Sequence, residues 1–230
     1  MAENGRRLQD RITDLILARG LTPGSALPTE PQLMAALGAS RNSVREALRA
    51  LHTLGIVEIR HGYGTFVGHA PITAFAPGLL FQARQSLRED ASVLSDLVEI
   101  RQILEVALIA RVAERVDEDF LAELDAAVDQ MGTGELAEAD QHFHELLYRR
   151  VDNAVAAQLI SLFWSVYHRL EAELEPPLPD PAQISHGHRQ IVAALRSGDP
   201  AAAQAAMVGH FGDITARVAR LSGDRDHPAD

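Results

Sequence analysis

Residues 37–55 read LGASRNSVREALRALHTLG, and this stretch decides what the first part of the chain can be. In a helix with 3.6 residues per turn, Arg41, Arg45 and Arg49 lie on one face. The apolar residues at positions 44, 47, 48, 51 and 54 lie on another face. The stretch therefore predicts a helix that packs with one side and presents guanidinium groups on the other.

The segments around this helix predict a winged helix-turn-helix. Residues 6–19 and 30–37 have the apolar spacing of helices, and Gly20 and Gly38 are the expected stops. After the arginine helix, residues 56–67 place the β-rich runs IVEIR and TFV around the turn HGYG, a hairpin pattern. Two helices, a short turn, a third helix and a hairpin follow the order of a winged helix-turn-helix.

The exposed face of the third helix is suited to DNA. One arginine can donate two hydrogen bonds to guanine O6 and N7 in the major groove. Ser40 and Ser43 could bind a phosphate at the helix start, and His61 and Tyr63 would contact DNA from the wing tip. The alternative is a solvated face whose arginines pair with Glu46 or with acids elsewhere. The order of the surrounding elements favours DNA binding.

Charge and composition separate the chain into two parts and exclude several classes. The first 70 residues hold 8 Arg and 6 acidic residues, a net charge of +2, and the remaining 160 residues carry a net charge of −13, which gives −11 for the chain. The absence of Cys excludes disulfides, thiolate metal sites and cysteine nucleophiles. No apolar run approaches the roughly 20 residues that span a bilayer. With no signal core at the N-terminus, we expect a soluble cytoplasmic protein without a membrane partner.

The rest of the chain predicts an all-helical domain, so the predicted fold is mostly α. We expect a DNA-binding domain at 1–67, a linker at 68–78, a helical domain at 79–222 and a polar tail at 223–230. Short connections favour an antiparallel bundle of six or seven helices. The predicted helices are 79–86, 91–116, 118–131, 134–151, 153–174, 181–197 and 199–221.

Three of these helices carry metal-binding side chains on their apolar stripes. Asp140 and His144 lie four residues apart on one helix, and His188 and His210 lie on two others. Three imidazoles and a carboxylate that face inward fit a divalent cation, which would also remove the cost of burying an unpaired carboxylate. Each histidine taken alone could instead be a hydrogen-bonded core residue. The set does not distinguish Zn, Ni, Mn and Fe.

Arg101 is a further polar residue on an apolar stripe. A buried guanidinium needs an anion. One candidate is Glu105, which lies one turn further along the same helix. The other is the carboxylate of a small ligand that lies between Arg101 and the metal. Both can hold, with Glu105 orienting Arg101.

The first 70 residues carry a family resemblance. Residues 7–67, and above all LTPGSALPTEPQLMAALGASRNSVREALRALHTLGIVEIRHGYGTFV, resemble the DNA-binding domain of the GntR family of bacterial transcription regulators. Ala39 replaces a usual Val, and Pro31 stands where a basic residue that can touch DNA often follows Glu30. The resemblance implies operator binding as a dimer. By matched position it implies base reading by Arg41 and Arg45, backbone or base contacts by Ser40, Asn42 and Ser43, and a wing-tip contact at Gly62.

The remainder resembles the FCD effector domain of the FadR branch of that family. The resemblance rests on LVEIRQILEVALIARVA (97–113), DQHFHELLYRRVDN (140–153) and HGHRQIVAALRSGDPAAAQAAMVGHF (186–211). By position it implies that Arg101 binds the carboxylate of the ligand. Asn153 matches a common Asn, for which the roles are helix capping or pocket lining. The implied metal ligands are Asp140, His144, His188 and His210.

Together the patterns predict a ligand-responsive transcription regulator, with repression as the usual sense in the family. A homodimer would place its third helices in adjacent major grooves of a short palindrome in double-stranded DNA. A small carboxylate effector at Arg101 and the metal would change the separation of the DNA-binding domains, provided that it binds the two conformations unequally. A sugar acid, a hydroxy acid or a dicarboxylate would fit. The alternatives are a metal-dependent enzyme, for which no general base is visible, and a metal-ion sensor.

Overall fold

The computed structural model describes residues 2–131, 136–171, 173 and 181–223. The chain divides into two compact units, Met1–Phe75 and Ala76–Asp230. Apart from residue 223, the predicted polar tail lies outside the described residues. Among the helices that are described, none combines the length and the apolar character of a membrane span.

The N-terminal unit is a winged helix-turn-helix, as predicted. Helices α1, α2 and α3 are followed by strands β1 and β2, which pair antiparallel. The register sets Val57 opposite Val67 at the open end of the hairpin and Arg60 opposite Gly64 at its turn. The elements are α1 (Ala2–Ala18), α2 (Glu30–Leu37), α3 (Arg41–Thr53), β1 (Val57–Arg60) and β2 (Gly64–Val67).

The core of this unit explains why α3 exposes its arginines. Four members of the predicted apolar stripe of α3 are buried against α1, α2 and the hairpin, so the opposite face is left outside. Leu54, the fifth member, is 40% exposed. Its predicted burial was wrong because α3 ends at Thr53 and Leu54 is the C-cap residue. The buried four are Val44, Ala47, Leu48 and Leu51.

The C-terminal unit is a helical bundle centred on one long helix. A short 3₁₀ helix (Ile72–Phe75) precedes α4, so helical structure begins inside the predicted linker; Pro77 fits there because a helix tolerates proline in its first turn. Helix α5 packs against α4, α7, α8, α10 and α11, which places its side chains in the middle of the bundle. The helices are α4 (Ala76–Ser86), α5 (Ser92–Ala113), α6 (Glu118–Gln130), α7 (Leu136–Tyr148), α8 (Ala154–Glu171), α9 (Pro181–Arg196), α10 (Pro200–His210) and α11 (Gly212–Gly223).

The last predicted helix, 199–221, is two helices in the structure. The break lies at Phe211, the C-cap residue of α10. Gly209 and Gly212 flank it, and glycine weakens a helix by about 1 kcal/mol relative to alanine. Phe211 itself is buried, so the break turns an aromatic ring into the bundle.

Candidate DNA-binding surface and metal centre

All nine predicted DNA-contacting residues are exposed on the N-terminal unit. They come from the N-cap of α3, the outer face of α3 and the turn between β1 and β2. A protein surface must be accessible in this way to enter a groove of DNA. The nine are Ser40, Arg41, Asn42, Ser43, Arg45, Arg49, His61, Gly62 and Tyr63.

Two of the three arginines share one acidic neighbour. The Nε atoms of Arg41 and Arg45 lie 3.7 Å and 3.4 Å from the Glu30 carboxylate. Arg49 pairs with Glu46 at 2.8 Å, so the predicted alternative of pairing to Glu46 holds for that arginine. Exposed pairs of this kind contribute about 0–1 kcal/mol to stability. They orient the guanidinium groups but are weak enough to be exchanged for contacts with DNA. The ion pairs of Glu30 were not predicted from the sequence, although Glu30 opens α2 next to the predicted turn.

The start of α3 and the wing tip have well-defined local geometry. Ser40 Oγ accepts a hydrogen bond from Ser43 N (3.2 Å) and lies 2.9 Å from Ser43 Oγ, so both serines first serve to cap the helix. In the wing, Gly62 and Gly64 have φ values of +80° and +114°, which favour glycine. Tyr63 between them is 85% exposed.

The four predicted metal ligands converge in the C-terminal unit. Asp140 and His144 come from α7, His188 from α9 and His210 from the end of α10. One donor atom of each lies within 4.8 Å of the others, so the group could hold a metal ion. His144 and His188 are almost completely buried, whereas Asp140 and His210 keep some exposure.

Three potential ligand atoms of this cluster face one another without a hydrogen bond. His188 Nδ1 lies 2.8 Å from the carbonyl oxygen of Ile184, which only accepts, so Nδ1 carries the proton and Nε2 presents a lone pair. That Nε2 lies 2.7 Å from Asp140 Oδ1, and His144 Nε2 lies 3.5 Å from the same oxygen. None of these three buried atoms makes a hydrogen bond within the described chain. Such a set is costly unless a cation lies between its members.

Two members of the cluster, Asp140 and His210, have pKa shifts that favour metal binding, whereas Glu105 and Asp140 outweigh burial and raise the pKa of His144. Burial opposes ionisation of Asp140, but His144 and His188 outweigh it and hold the pKa of Asp140 well below its usual range. Burial, reinforced by His188 and His144, lowers the pKa of His210 well below its usual value. Asp140 is therefore a carboxylate and His210 a neutral imidazole near neutral pH, as coordination requires.

Arg101, which is 5% exposed, belongs to a buried polar network next to this cluster. Its Nε donates to Glu105 Oε1 at 2.5 Å, and Tyr148 OH donates to Glu105 Oε2 at 2.8 Å. His144 Nδ1 lies 2.8 Å from Oε2, a close electrostatic contact whose direction is not that of a hydrogen bond. Burial disfavours the Glu105 anion, but Arg101 and His144 more than compensate and lower the pKa of Glu105.

A cavity of about 480 Å³ lies beside both groups. This volume is within the usual range for small-molecule sites, about 300–1,000 Å³. The Arg101 guanidinium carbon lies 5.0 Å from the centre of the Trp164 ring and 5.3 Å from that of Phe211, so two aromatic rings hold it in place. The lining includes Arg101, Asp140, Trp164, Gln183, Gln190 and His210.

Asn153 does not belong to this cavity, which corrects its predicted effector-binding role. Its Oδ1 accepts a hydrogen bond from Ala156 N at 3.0 Å, so it caps α8, and its side chain is exposed. Trp164 and Phe211 were missed because a helical aromatic residue usually indicates nothing more than core. Tyr148 could have been found, since it lies one turn after His144.

Comparison with known proteins identifies both units. The model for bacterial regulatory proteins of the gntR family matches residues 4–67, and the FCD domain model matches residues 96–213. The chain belongs to the GntR family. This GntR-family member is therefore a DNA-binding transcription regulator with a C-terminal FCD domain, and not an enzyme.

Its relatives cover nearly the whole chain. A putative L-lactate dehydrogenase operon regulatory protein of Escherichia coli is 28% identical over 96% of this chain and 90% of its own length. The galactonate operon transcriptional repressor of the same organism is 28% identical over 87% and 90%. The solved structure of a GntR protein of Streptococcus agalactiae has a TM-score of 0.67 and 27% identity, and the match covers 93% of this chain and 98% of that one.

Proposed function

We propose that this GntR-family regulator binds a palindromic operator as a homodimer and responds to a small organic acid held at a metal site. The observation that carries the proposal is the set of three buried donor atoms, on Asp140, His144 and His188, that face one another without hydrogen bonds. A cation there would face a cavity that also contains Arg101. The same site can then hold a carboxylate from two sides.

The proposed DNA contacts are the nine exposed residues of α3 and the wing. Arg41 and Arg45 would read guanines, while Ser40, Asn42 and Ser43 at the helix start would contact the DNA backbone or bases. Arg49 and the wing residues His61, Gly62 and Tyr63 would contact the flanking duplex. Because bacterial DNA lies in the cytoplasm, operator binding implies that the protein is cytoplasmic.

The homodimer is proposed from the family and from the surface of the bundle. Three large apolar side chains are exposed on α5 and α8, two helices that pack against each other. Ile100, Ile103 and Val155 are 47%, 61% and 56% exposed. A second copy would remove this apolar surface from water, which is favourable at about 25 cal/mol per Å².

The proposed metal ligands are Asp140, His144, His188 and His210. Three nitrogens and one oxygen suit Zn, Ni, Mn or Fe, and four protein ligands leave positions open for a ligand in the metals that accept five or six. When bound, the metal would supply positive charge and a Lewis-acid contact for a carboxylate. Arg101 would bind the same carboxylate from the protein side.

A count of buried charges favours a monocarboxylate. With the histidines neutral, as metal ligands must be, Arg101, Glu105 and Asp140 sum to −1. A divalent cation changes the sum to +1, which one carboxylate neutralises and a dicarboxylate exceeds. Uncompensated buried charge costs several kcal/mol. L-Lactate and galactonate, which the names of the two Escherichia coli relatives mention, are monocarboxylates.

A thermal-shift screen of organic acids on the full chain tests this proposal. We expect a monocarboxylate to raise the melting temperature only when Zn²⁺ is present, and a chelator to abolish the rise. Arg101→Ala should abolish it as well, read against the melting temperature of the variant without acid, and Arg101→Lys should reduce it. Arg111→Ala, on an exposed position of the same helix, is the matched control. A rise that survives both the chelator and Arg101→Ala would refute the site.

Operator binding separates this proposal from a metal-ion sensor. DNA affinity should change when the stabilising acid is added to the zinc-loaded dimer. If Zn²⁺ in the absence of acid produces the full change in DNA affinity, the cation is the signal and the acid response is refuted.

A further inference from the structure

We propose that Glu105 is a positioning residue that couples metal binding to acid binding, because its two carboxylate oxygens are divided between Arg101 and His144. The inference rests on the proposed function, since Arg101 would hold the acid and His144 the metal. It adds a residue that would touch neither ligand. Its side chain is fully buried on α5 and lies between Arg101 and His144, the two groups that it would link.

The contacts of Glu105 require a carboxylate and not an amide. Oε1 accepts from Arg101 Nε, while Oε2 accepts from Tyr148 OH and lies 2.8 Å from His144 Nδ1. Arg101 and Tyr148 both donate to it, and an ionised carboxylate has only acceptor sites. A glutamine could serve one side with its oxygen, but its NH₂ group would face a second donor.

Towards the metal, Glu105 orients an imidazole. A metal-binding histidine is usually held by a carboxylate or carbonyl at its other nitrogen, which fixes the tautomer and raises the basicity of the ligand atom. Ile184 provides this partner for His188 through its carbonyl oxygen, and Glu105, whose Oε2 lies 2.8 Å from His144 Nδ1, would provide it for His144. The stronger of the two partners is therefore the charged one on α5.

Towards the acid, Glu105 sets the order of binding. Its charge neutralises Arg101, so the guanidinium group attracts a carboxylate only weakly until a divalent cation is present. The metal and the acid then assist each other, and this coupling must be reciprocal. Without the charge of Glu105, the acid would bind to Arg101 with less help from the metal.

The experiment measures Zn²⁺ affinity of the full-length protein by competition with a fluorescent chelator, with and without sodium acetate. Acetate is the carboxylate that every candidate acid contains. In the wild type, acetate should tighten Zn²⁺ binding. Glu105→Gln should weaken Zn²⁺ binding by about 10- to 100-fold and should make the acetate effect clearly smaller than in the wild type. Glu99→Gln, an exposed position on the same helix, should match the wild type in both measurements.

A second variant separates position from charge and guards against misfolding of the first. Glu105→Asp keeps the charge but withdraws the carboxylate by one methylene, so Zn²⁺ affinity should fall while the acetate effect persists. A merely structural residue would not separate the two readouts in this way. Glu105→Asp with wild-type Zn²⁺ affinity, or Glu105→Gln with the wild-type acetate effect, overturns the coupling role. An acetate effect that is absent from the wild type overturns the proposed acid site itself.

Discussion

The two units of this regulator hold their charged side chains in opposite ways. In the N-terminal unit the candidate DNA-binding residues lie within residues 40–63, and all of them are exposed. In the C-terminal unit the candidate site draws on α5, α7, α9 and α10, with positions from 101 to 210, and most of its members are buried. One surface follows from a single local motif, whereas the other exists only when four helices are packed.

This difference decides how each site depends on stability. An exposed ion pair such as Arg49–Glu46 contributes about 0–1 kcal/mol, so its residues can be exchanged with little effect on folding. Removing one member of a buried pair such as Arg101–Glu105 leaves a charge without compensation, which costs about 3–5 kcal/mol. Substitutions in the first unit should therefore report on DNA binding, and those in the second on folding and ligand binding together.

The sharpest test of this contrast compares two arginines. Arg101→Ala should lower the free energy of unfolding by about 3–5 kcal/mol, because the buried Glu105 carboxylate loses its guanidinium partner. Arg45→Ala should change it by less than about 0.5 kcal/mol, because its guanidinium group is exposed. Urea denaturation followed by circular dichroism measures both. Equal losses in the two variants would show that burial does not separate the two units energetically.

Metal addition should act on the C-terminal unit. At a free Zn²⁺ concentration of 100 times Kd, binding stabilises the folded state by about 2.7 kcal/mol. For a unit of this size that corresponds to a rise in melting temperature of roughly 5–11 °C. His188→Ala should abolish the rise. The control is His142→Ala, on the exposed side of α7; a rise lost in both variants, or in neither, would contradict the ligand assignment.

Operator binding should depend on the arginines of α3 to different degrees. Arg45→Ala should weaken binding by about 1–3 kcal/mol if the residue reads a guanine. Arg49→Ala should cost less, because Arg49 lies a turn further from the helix start and pairs with Glu46. Fluorescence anisotropy with DNA selected from a random pool by the wild type provides the measurement. A larger loss for Arg49→Ala would reverse the proposed orientation of α3 in the groove.

The same contrast explains what the sequence could and could not reveal. The winged helix-turn-helix and its exposed arginines were predictable because turns, caps and periodicity are local. Asp140, His144, His188 and His210 were also predictable, since each lies on the inward stripe of its own helix.

Features that depend on neighbours outside the local motif were not predicted from the sequence. Helical periodicity gives no sign that Phe211 ends α10, or that Glu30 on α2 approaches the arginines of α3. Glu105 was visible as a partner of Arg101 four residues away, but its contact with His144 arises only where α5 packs against α7. The role of Asn153 was ambiguous because an asparagine before a helix can cap that helix or face a pocket. Which of the two it does depends on the backbone conformation, which the sequence does not reveal.

The smallest expected effects are those of substitutions at two helix caps, Ser40 and Asn153. Ser40→Ala and Asn153→Ala should each cost about 1 kcal/mol of stability, because each side chain accepts a hydrogen bond from the first turn of its helix. Only Ser40→Ala should also weaken operator binding, since its hydroxyl lies at the proposed phosphate contact. Asn153→Ala should leave the zinc-dependent response to acid intact, since an exposed cap on α8 has no access to the cavity. If Asn153→Ala removes that response without a loss of Zn²⁺ affinity, the acid extends beyond the cavity beside Arg101.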